Sequence, residues 1–304
     1  MSSDASPIAA PAAAPALPDI FPPVRPRTGV WGVVYRHPTM VIGGAMLSLL
    51  AIFALFAPFL GTVDIDAREL KLRNADPSAA NWFGRDALGR DIYTRVVYGT
   101  RISLIVGVSV AILASLVGLS IGLVSGFVRW SDGIVMRIMD GLMSIPPILL
   151  AIALMALTGA SVKNVIIAIT IAEIPRVSRL VRGVVLSLRE QPYVDAAIAA
   201  GTSTPMVILR HILPNTLAPI TVQATYICAS AMITEAILSF VGAGIPAAMA
   251  PSWGNIMADG RSAWQAYPHV IFFPAIFLSL TVLAVNLLGD GLRDALDPRM
   301  AKRI

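Results

Sequence analysis

The sequence predicts an all-α, polytopic membrane protein. Of its 304 residues, 56% are hydrophobic and only 13% are charged, whereas a soluble domain carries about 25% charged residues. The apolar residues are also grouped into long intervals that carry almost no charge. An α-helix needs about 20 such residues to cross the hydrocarbon core of a bilayer. Both observations indicate a chain that contacts membrane lipid along most of its length.

Six transmembrane helices are predicted. The third carries Asp140 ahead of the pair Pro146–Pro147, so we expect a local break in it. The fourth contains Glu173 and Arg176 and is included because its two apolar neighbours must be connected. The predicted spans are residues 39–60, 102–128, 135–158, 162–181, 215–242 and 270–289, all approximate.

Residues 1–38 differ in composition from the rest of the chain. They are rich in alanine and proline, and proline at this density prevents a continuous helix. No basic segment precedes an apolar one, so this is not a signal peptide. We expect a disordered cytoplasmic tail, followed by a transmembrane domain over residues 39–304.

The distribution of basic residues predicts the orientation. Six spans place both termini on one side, and that side carries most of the 23 lysine and arginine residues. The positive-inside rule therefore makes it the cytoplasm. The segment between the fourth and fifth spans, at about residues 190–214, is then cytoplasmic as well.

That cytoplasmic segment has the signals of a helix, a sharp turn and a second helix. Gln191-Pro192 begins the first helix, because proline is favoured at the first helical position. Gly201 ends it in a left-handed conformation, and Thr204-Pro205 begins the second. Pro214 is expected to stop the second helix. Small side chains cover the unit, which suits a surface that another protein approaches closely.

The sequence lacks the motifs for nucleotide binding and for metal binding. The three lysines, Lys71, Lys163 and Lys302, follow leucine, valine and alanine, so no Walker A phosphate-binding loop can form. Cys228 is the single cysteine, and the three histidines are too far apart in sequence to predict a metal site. The modest net charge of +5 requires no nucleic-acid partner.

The residues disfavour two competing functions. A self-contained secondary transporter would have broken helices at matching places in two halves, and no such pair of halves is evident. A membrane-embedded enzyme would need a nucleophile beside a base or a metal cluster. Neither an H-E-x-x-H nor a G-x-S-x-G motif occurs.

Charged residues within or beside the spans are further candidates. Glu235 lies in the fifth span toward its outer end, and such residues face the bundle interior or a water-filled path. Glu235 either lines or gates a translocation path, or forms a hydrogen bond to a neighbouring helix, or lies at a shallow depth near the interface. Arg176, Arg179 and Arg182 share one helical face, which predicts contact with lipid headgroups or with acidic groups of a partner. Asp91 and Arg95 stand four apart and predict a helical ion pair.

The cytoplasmic segment resembles the "EAA" loop of ABC-importer permeases. The matching residues are Asp195, Ala196, Ala197, Gly201, Ile212, Leu213 and Pro214, with Asp195 standing where the family usually has glutamate. Three further stretches resemble the second membrane subunit of dipeptide and oligopeptide importers. They read WFGRDALGRDIYTRVVYGTRISL at 82–104, TEAILSFVGAG at 234–244 and NLLGDGLRDALDP at 286–298.

The resemblance implies a type I ABC importer fold and a transport subunit that is not itself an enzyme. Its implied partners are a homologous second permease, two ATP-binding subunits and an extracytoplasmic substrate-binding protein, in a bacterial cytoplasmic membrane. ATP and Mg²⁺ would be bound by the partner ATPases, with no cofactor in this chain. The loop would couple ATPase closure to alternating access, and the outer segment 64–101 would contact the binding protein or anchor at the interface. The implied substrates are dipeptides or oligopeptides, with glutathione and nickel as other possibilities.

Overall fold

The structure, a computed structural model, describes residues 37–296. Within this range the chain is helical and contains no strand, only one isolated β-bridge between Arg85 and Asp91. Two short 3₁₀ turns, Ala57–Phe59 and Leu70–Leu72, lie in the connection between the first two long helices. The helices are α1 Pro38–Leu55, α2 Ile92–Phe127, α3 Arg129–Met143, α4 Pro147–Thr158, α5 Val162–Arg189, α6 Pro192–Ala199, α7 Thr204–Val207, α8 Leu213–Val241, α9 Trp253–Gly260 and α10 His269–Leu296. Nearly all of the predicted 1–38 tail lies outside the described residues.

Among residues 37–296, four helical runs are long and apolar enough to cross a membrane: α1, α2, the continuous stretch Thr204–Val241, and α10. The bent pair α3–α4 would make a fifth. The predicted fourth span corresponds to α5, whose 28 residues are long enough, but whose charged side chains keep it outside that apolar group. A six-span count therefore depends on α5 crossing the membrane with its charges buried in protein.

Two predicted spans have different bounds from those of the structure. The second begins ten residues earlier than expected, at Ile92, because the Asp91 side chain caps the helix by accepting the backbone N–H of Thr94. Its 36 residues extend about 54 Å at 1.5 Å per residue, well beyond a bilayer core of about 30 Å. The third predicted span, 135–158, is two helices that meet at 88° where Pro146 and Pro147 interrupt the chain.

The centre of the bundle is formed by α2 packed along α5. Gly118, Gly122 and Gly126 of α2 lie one turn apart and face Val177, Val181 and Val185 of α5. A Cβ at Gly122 would lie 2.5 Å from the Cβ of Val181. Small residues at this spacing let membrane helices approach closely enough for their backbones to pack. This contact holds α5 against the bundle although α5 is the least apolar of the long helices.

Replacing Gly122 by leucine should therefore disrupt the bundle. Because the neighbour is the branched carbon of a buried valine rather than the end of a flexible chain, the two helices must separate. Overpacking of this kind costs about 1–3 kcal/mol or more. Thermal unfolding of the purified protein in detergent would measure this loss of stability. Gly133→Leu is the matched control, since Gly133 is exposed and nothing lies within 4 Å of its Cβ direction. Equal unfolding temperatures for the two variants would contradict the prediction.

A buried cluster of charges attaches the outer segment to the bundle. The Asp86 side chain is completely buried and accepts hydrogen bonds from Arg90 Nε at 2.7 Å and Arg95 Nη1 at 2.9 Å. Both arginines also donate to Asp259 of α9 at 2.7 Å. The predicted ion pair between Asp91 and Arg95 is thus wrong: Asp91 caps α2, while Arg95 turns toward two aspartates that lie elsewhere in the sequence.

Candidate coupling element and intramembrane charges

The segment predicted to couple the chain to its partners, at about residues 190–214, forms the predicted helix and turn. Helix α6 begins with Pro192, and Gly201 follows its end with φ +80°. The backbone N–H of Gly201 donates to the carbonyl of Ile198 at 2.9 Å, and that of Thr202 donates to Ala197 at 3.1 Å. This pair of bonds is the Schellman motif, which requires a left-handed residue at the glycine position. The turn is therefore fixed by local chemistry that the sequence already contains.

The second half of the element differs from the prediction, because Pro214 does not stop the helix. A π-helical turn over Ile208–Ile212 connects α7 to α8, with the Leu213 N–H donating to the Ile208 carbonyl five residues back. A wider turn accommodates the proline ring, which would clash inside a regular α-helix. The Asn215 side chain donates to the His211 carbonyl at 2.7 Å, within the same turn.

The continuity of this stretch has a mechanical consequence. Residues 204–241 form one run from the turn into the membrane. A force applied at the turn is therefore transmitted directly to α8.

The seven predicted coupling residues separate into an exposed and a buried group. Asp195, Ala196, Gly201 and Pro214 are exposed, and nothing lies within 4 Å of the Gly201 Cβ direction. Ile212 is completely buried together with Val194 and Val207 in the main core. The remaining two, Ala197 and Leu213, are half-buried. One face of the element is thus anchored to the bundle, and the opposite face is open.

The open face is more apolar than the sequence reasoning anticipated. Four large side chains on it are exposed by 41–59%, and these are Tyr193, Ile198, Met206 and Leu209. One feature of the sequence points to these four side chains. They are large and apolar, and they stand among alanines and polar residues in a short helical unit. An exposed apolar patch of this kind marks an interaction surface.

A charged cleft borders the open face. It has a volume of about 540 Å³ and is lined by Phe127, Arg129, Arg189, Glu190, Asp195 and Ile198. The Asp195 carboxylate thus lies at the edge of a cleft that also contains two arginines. The cleft lies where the end of α2 and the start of α3 meet the cytoplasmic element.

The three arginines on one face of α5 each have an acidic neighbour within the chain. Arg182 donates to Asp132 with Nη2 at 2.6 Å, and Arg179 pairs with Asp140. Both aspartates belong to α3, so these pairs connect α3 to α5. Arg176 pairs instead with Glu173 of its own helix at 3.0 Å. Each arginine thus has a carboxylate partner within the chain, and the expected contact with lipid headgroups or with acidic groups of a partner stays a prediction.

Glu235 is completely buried near the outer end of α8. Its carboxylate accepts a hydrogen bond from Ser239 Oγ at 2.7 Å, and Ser239 Oγ in turn accepts the backbone N–H of Ile245 at 3.0 Å. Helix α9 packs on this turn through Gly254, whose backbone lies against Ala236. The carboxylate thus belongs to an enclosed network beneath α9, and its role in a path stays a prediction.

Comparison with known proteins agrees with this architecture. Residues 94–302 match the family described as "Binding-protein-dependent transport system inner membrane component". A probable peptide ABC transporter permease protein of Sinorhizobium fredii is 52% identical over 271 residues, which cover 89% of this chain and 92% of that protein. The dipeptide transport system permease protein of Alkalihalophilus pseudofirmus is 42% identical, and 87% of each chain is covered.

A further relative and one solved structure extend this result. The glutathione transport system permease protein of Pectobacterium atrosepticum is 41% identical, over 89% of this chain and 90% of that protein. An inward-facing structure of the MetNI methionine ABC transporter has a TM-score of 0.56 at 20% identity, covering 66% of this chain and 96% of that chain. At this identity the structural match concerns the fold alone. The chain belongs to the family of binding-protein-dependent transport system inner membrane components.

Proposed function

We propose that this chain is the permease subunit of an ABC importer that takes up dipeptides or oligopeptides, and that residues 190–214 couple it to partner ATPases. The single observation that carries the coupling role is the open face of the helix-turn-helix. It combines a rigid turn at Gly201 with exposed apolar side chains such as Ile198 and Leu209. Its other face is anchored in the core by Val194 and Ile212. A surface held so firmly and left uncovered suits a contact that transmits force.

The family is one of membrane components, so the chain is a transport subunit and ATP hydrolysis belongs to other subunits. As part of the proposal, ATP and Mg²⁺ are bound by two ATPase subunits that dock on the open face. A homologous second permease completes the membrane domain, and an extracytoplasmic binding protein delivers substrate to the outer segment. Both termini and the 190–214 element lie in the cytoplasm, because most lysines and arginines are on that side.

The peptide substrate is supported by the names of two relatives, a probable peptide permease and a dipeptide permease, which are 52% and 42% identical to this chain. Glutathione, carried by name by another relative, is itself a small peptide with free carboxylates. The alternative of a self-contained secondary transporter would use a pair of broken helices. Within residues 37–296 one bent helix pair occurs, α3–α4.

Deleting the gene for this chain should abolish growth on peptides as the nitrogen source, and a plasmid copy should restore it.

The tagged chain, purified gently, should carry a second permease and P-loop ATPases that mass spectrometry identifies. Uptake of labelled tri-alanine, compared with uptake of free alanine, separates peptide transport from a general loss of fitness. A chain that purifies stably without any ATPase would favour the secondary transporter. Co-purifying ATPases without any peptide uptake would instead assign another substrate.

A further inference from the structure

A cluster of polar side chains lies between α5 and α8, halfway along both helices. Glu173 is eleven residues beyond Val162, the first residue of α5, which places it about 17 Å along the helix axis. Tyr226 and Ser230 occupy the middle of α8. A charge at this depth of a membrane is costly, and such residues face the bundle interior or a water-filled cavity. The groups around the cluster must therefore account for a charge at this depth.

Three contacts fix the geometry of the cluster around Arg176. Glu173 is only 4% exposed, and its Oε2 lies 3.0 Å from Arg176 Nη1. Ser230 Oγ donates to the other carboxylate oxygen at 3.3 Å. The Arg176 guanidinium lies over the Tyr226 ring, 5.5 Å from its centroid, a cation–π arrangement. A buried carboxylate and an aromatic ring thus hold the guanidinium from two sides.

The side of the Arg176 guanidinium that faces neither Glu173 nor Tyr226 is exposed. The Arg176 side chain is 39% exposed and Tyr226 is 54% exposed. In the part of the chain from residue 37 to 296, Arg176 makes hydrogen bonds to Glu173 alone, although a guanidinium carries five N–H donors. A purely structural ion pair in lipid would be enclosed on all sides. The donors that remain need a polar partner, and lipid tails cannot supply one.

A separate cleft lies about one helical turn from this cluster, toward the cytoplasmic ends of α5 and α8. Its lining includes Leu180, Val222 and Gln223, which lie about one helical turn from Arg176 or Tyr226 on the same helices. It also includes Pro214 and Arg293, near the cytoplasmic ends of α8 and α10. The volume of about 680 Å³ lies within the range of small-molecule sites, about 300–1,000 Å³.

The chemistry of the cluster selects the ligand. A planar guanidinium fork binds a carboxylate through two parallel hydrogen bonds, and it does so more strongly when held in place. We propose that Arg176, positioned by Glu173 and Tyr226, binds the C-terminal carboxylate of the peptide during its passage through the membrane. The inference rests on the proposed peptide-import function, because that carboxylate is the anionic group that every unmodified peptide carries.

The test measures binding of labelled tri-alanine to the detergent-purified transporter, without the binding protein, and competes it with unlabelled tri-alanine or with tri-alanine amide. For the wild type we expect the acid to compete at least about tenfold better than the amide, as befits a charge-assisted hydrogen bond. In the double variant Glu173→Gln/Arg176→Gln the two competitors should become equal. The double change is used because Arg176→Gln alone would leave Glu173 as an unpaired buried charge.

Three single variants make the result specific. Glu173→Gln retains the guanidinium but removes the carboxylate that positions it, so its preference for the acid should be reduced and still exceed that of the double variant. Arg179→Gln removes a neighbouring charge of α5, which pairs with Asp140, and should keep the preference as well. Arg176→Lys preserves the ion pair with Glu173 but lacks the planar fork, so it should assemble and show a reduced preference even if the double variant fails to fold.

The outcomes separate this inference from the proposed function. A wild-type complex with no saturable binding, with no preference for the acid, or with a preference that survives in the double variant overturns the role of Arg176. If cells carrying that wild-type complex still take up tri-alanine, the peptide-import function stands. If no peptide is taken up by any strain, the proposed function itself fails.

Discussion

Replacing Gly201 by valine is expected to release the ATPase subunits and to lower peptide uptake about tenfold or more. The residue has φ +80°, a conformation that costs an ordinary L-residue about 1–2 kcal/mol and that β-branched residues adopt least readily. Each 1.4 kcal/mol, roughly, is a factor of ten in an equilibrium constant. The turn would therefore open, and the open face of the coupling element would lose its shape. Co-purification of the ATPases and uptake of tri-alanine measure the two effects.

Two further variants isolate the cause of the Gly201→Val effect. Gly201→Asn adds a side chain at the same place but tolerates the left-handed conformation, so it should retain more ATPase than the valine variant. Gly61→Val is the matched control for backbone strain, because Gly61 has φ +70° and open space around it in the connection between α1 and α2. ATPase association that survives in Gly201→Val would show that the turn does not form the docking surface.

Replacing Asp86 by alanine should destabilise the protein by about 3–5 kcal/mol, the usual result of removing one partner from a buried ionic cluster. Asp86 is completely buried and accepts the side chains of Arg90 and Arg95, together with the backbone N–H groups of Leu88 and Arg90. Without it two arginines remain in a buried site with only Asp259 to balance them. The outer segment should then detach from α2 and α9.

Thermal unfolding in detergent would measure the overall loss for Asp86→Ala, and limited proteolysis would show whether the segment around Asp86 becomes accessible. Asp66→Ala is the matched control, because Asp66 is an exposed aspartate of the same outer segment. If Asp86→Ala unfolded at the same temperature as Asp66→Ala, the cluster would not be what attaches the outer segment to the bundle.

Local chemistry in the sequence determined the helical class, the approximate places of the long helices and the turn at Gly201. Each depends on residues close together in the chain: runs of apolar side chains, prolines at helix starts, and a glycine where a left-handed residue is required. The break at Pro146–Pro147 was predicted for the same reason. The glycine spacing of α2 was present as well, but its partner helix is not visible in a local pattern.

The partners of the charged residues were decided by the tertiary structure. Arg95 was expected to pair with Asp91 four residues away, but it binds Asp259, 164 residues away. Arg182 binds Asp132, 50 residues away, although a single helical face suggested lipid headgroups. A charged side chain in a membrane protein takes the partner that packing brings to it, and sequence spacing describes only neighbours on the same helix.

The coupling element likewise combines features set by local sequence with features set by tertiary packing. The sequence identified Asp195 to Pro214 as a unit, because its small residues and prolines follow each other locally. Only the packed structure showed that Ile212 is buried while Gly201 is open, and that a π turn carries the helix past Pro214 into α8. Burial depends on which other helices lie nearby. The sequence of one segment therefore could not show which face of the element is anchored in the bundle and which face is free to bind.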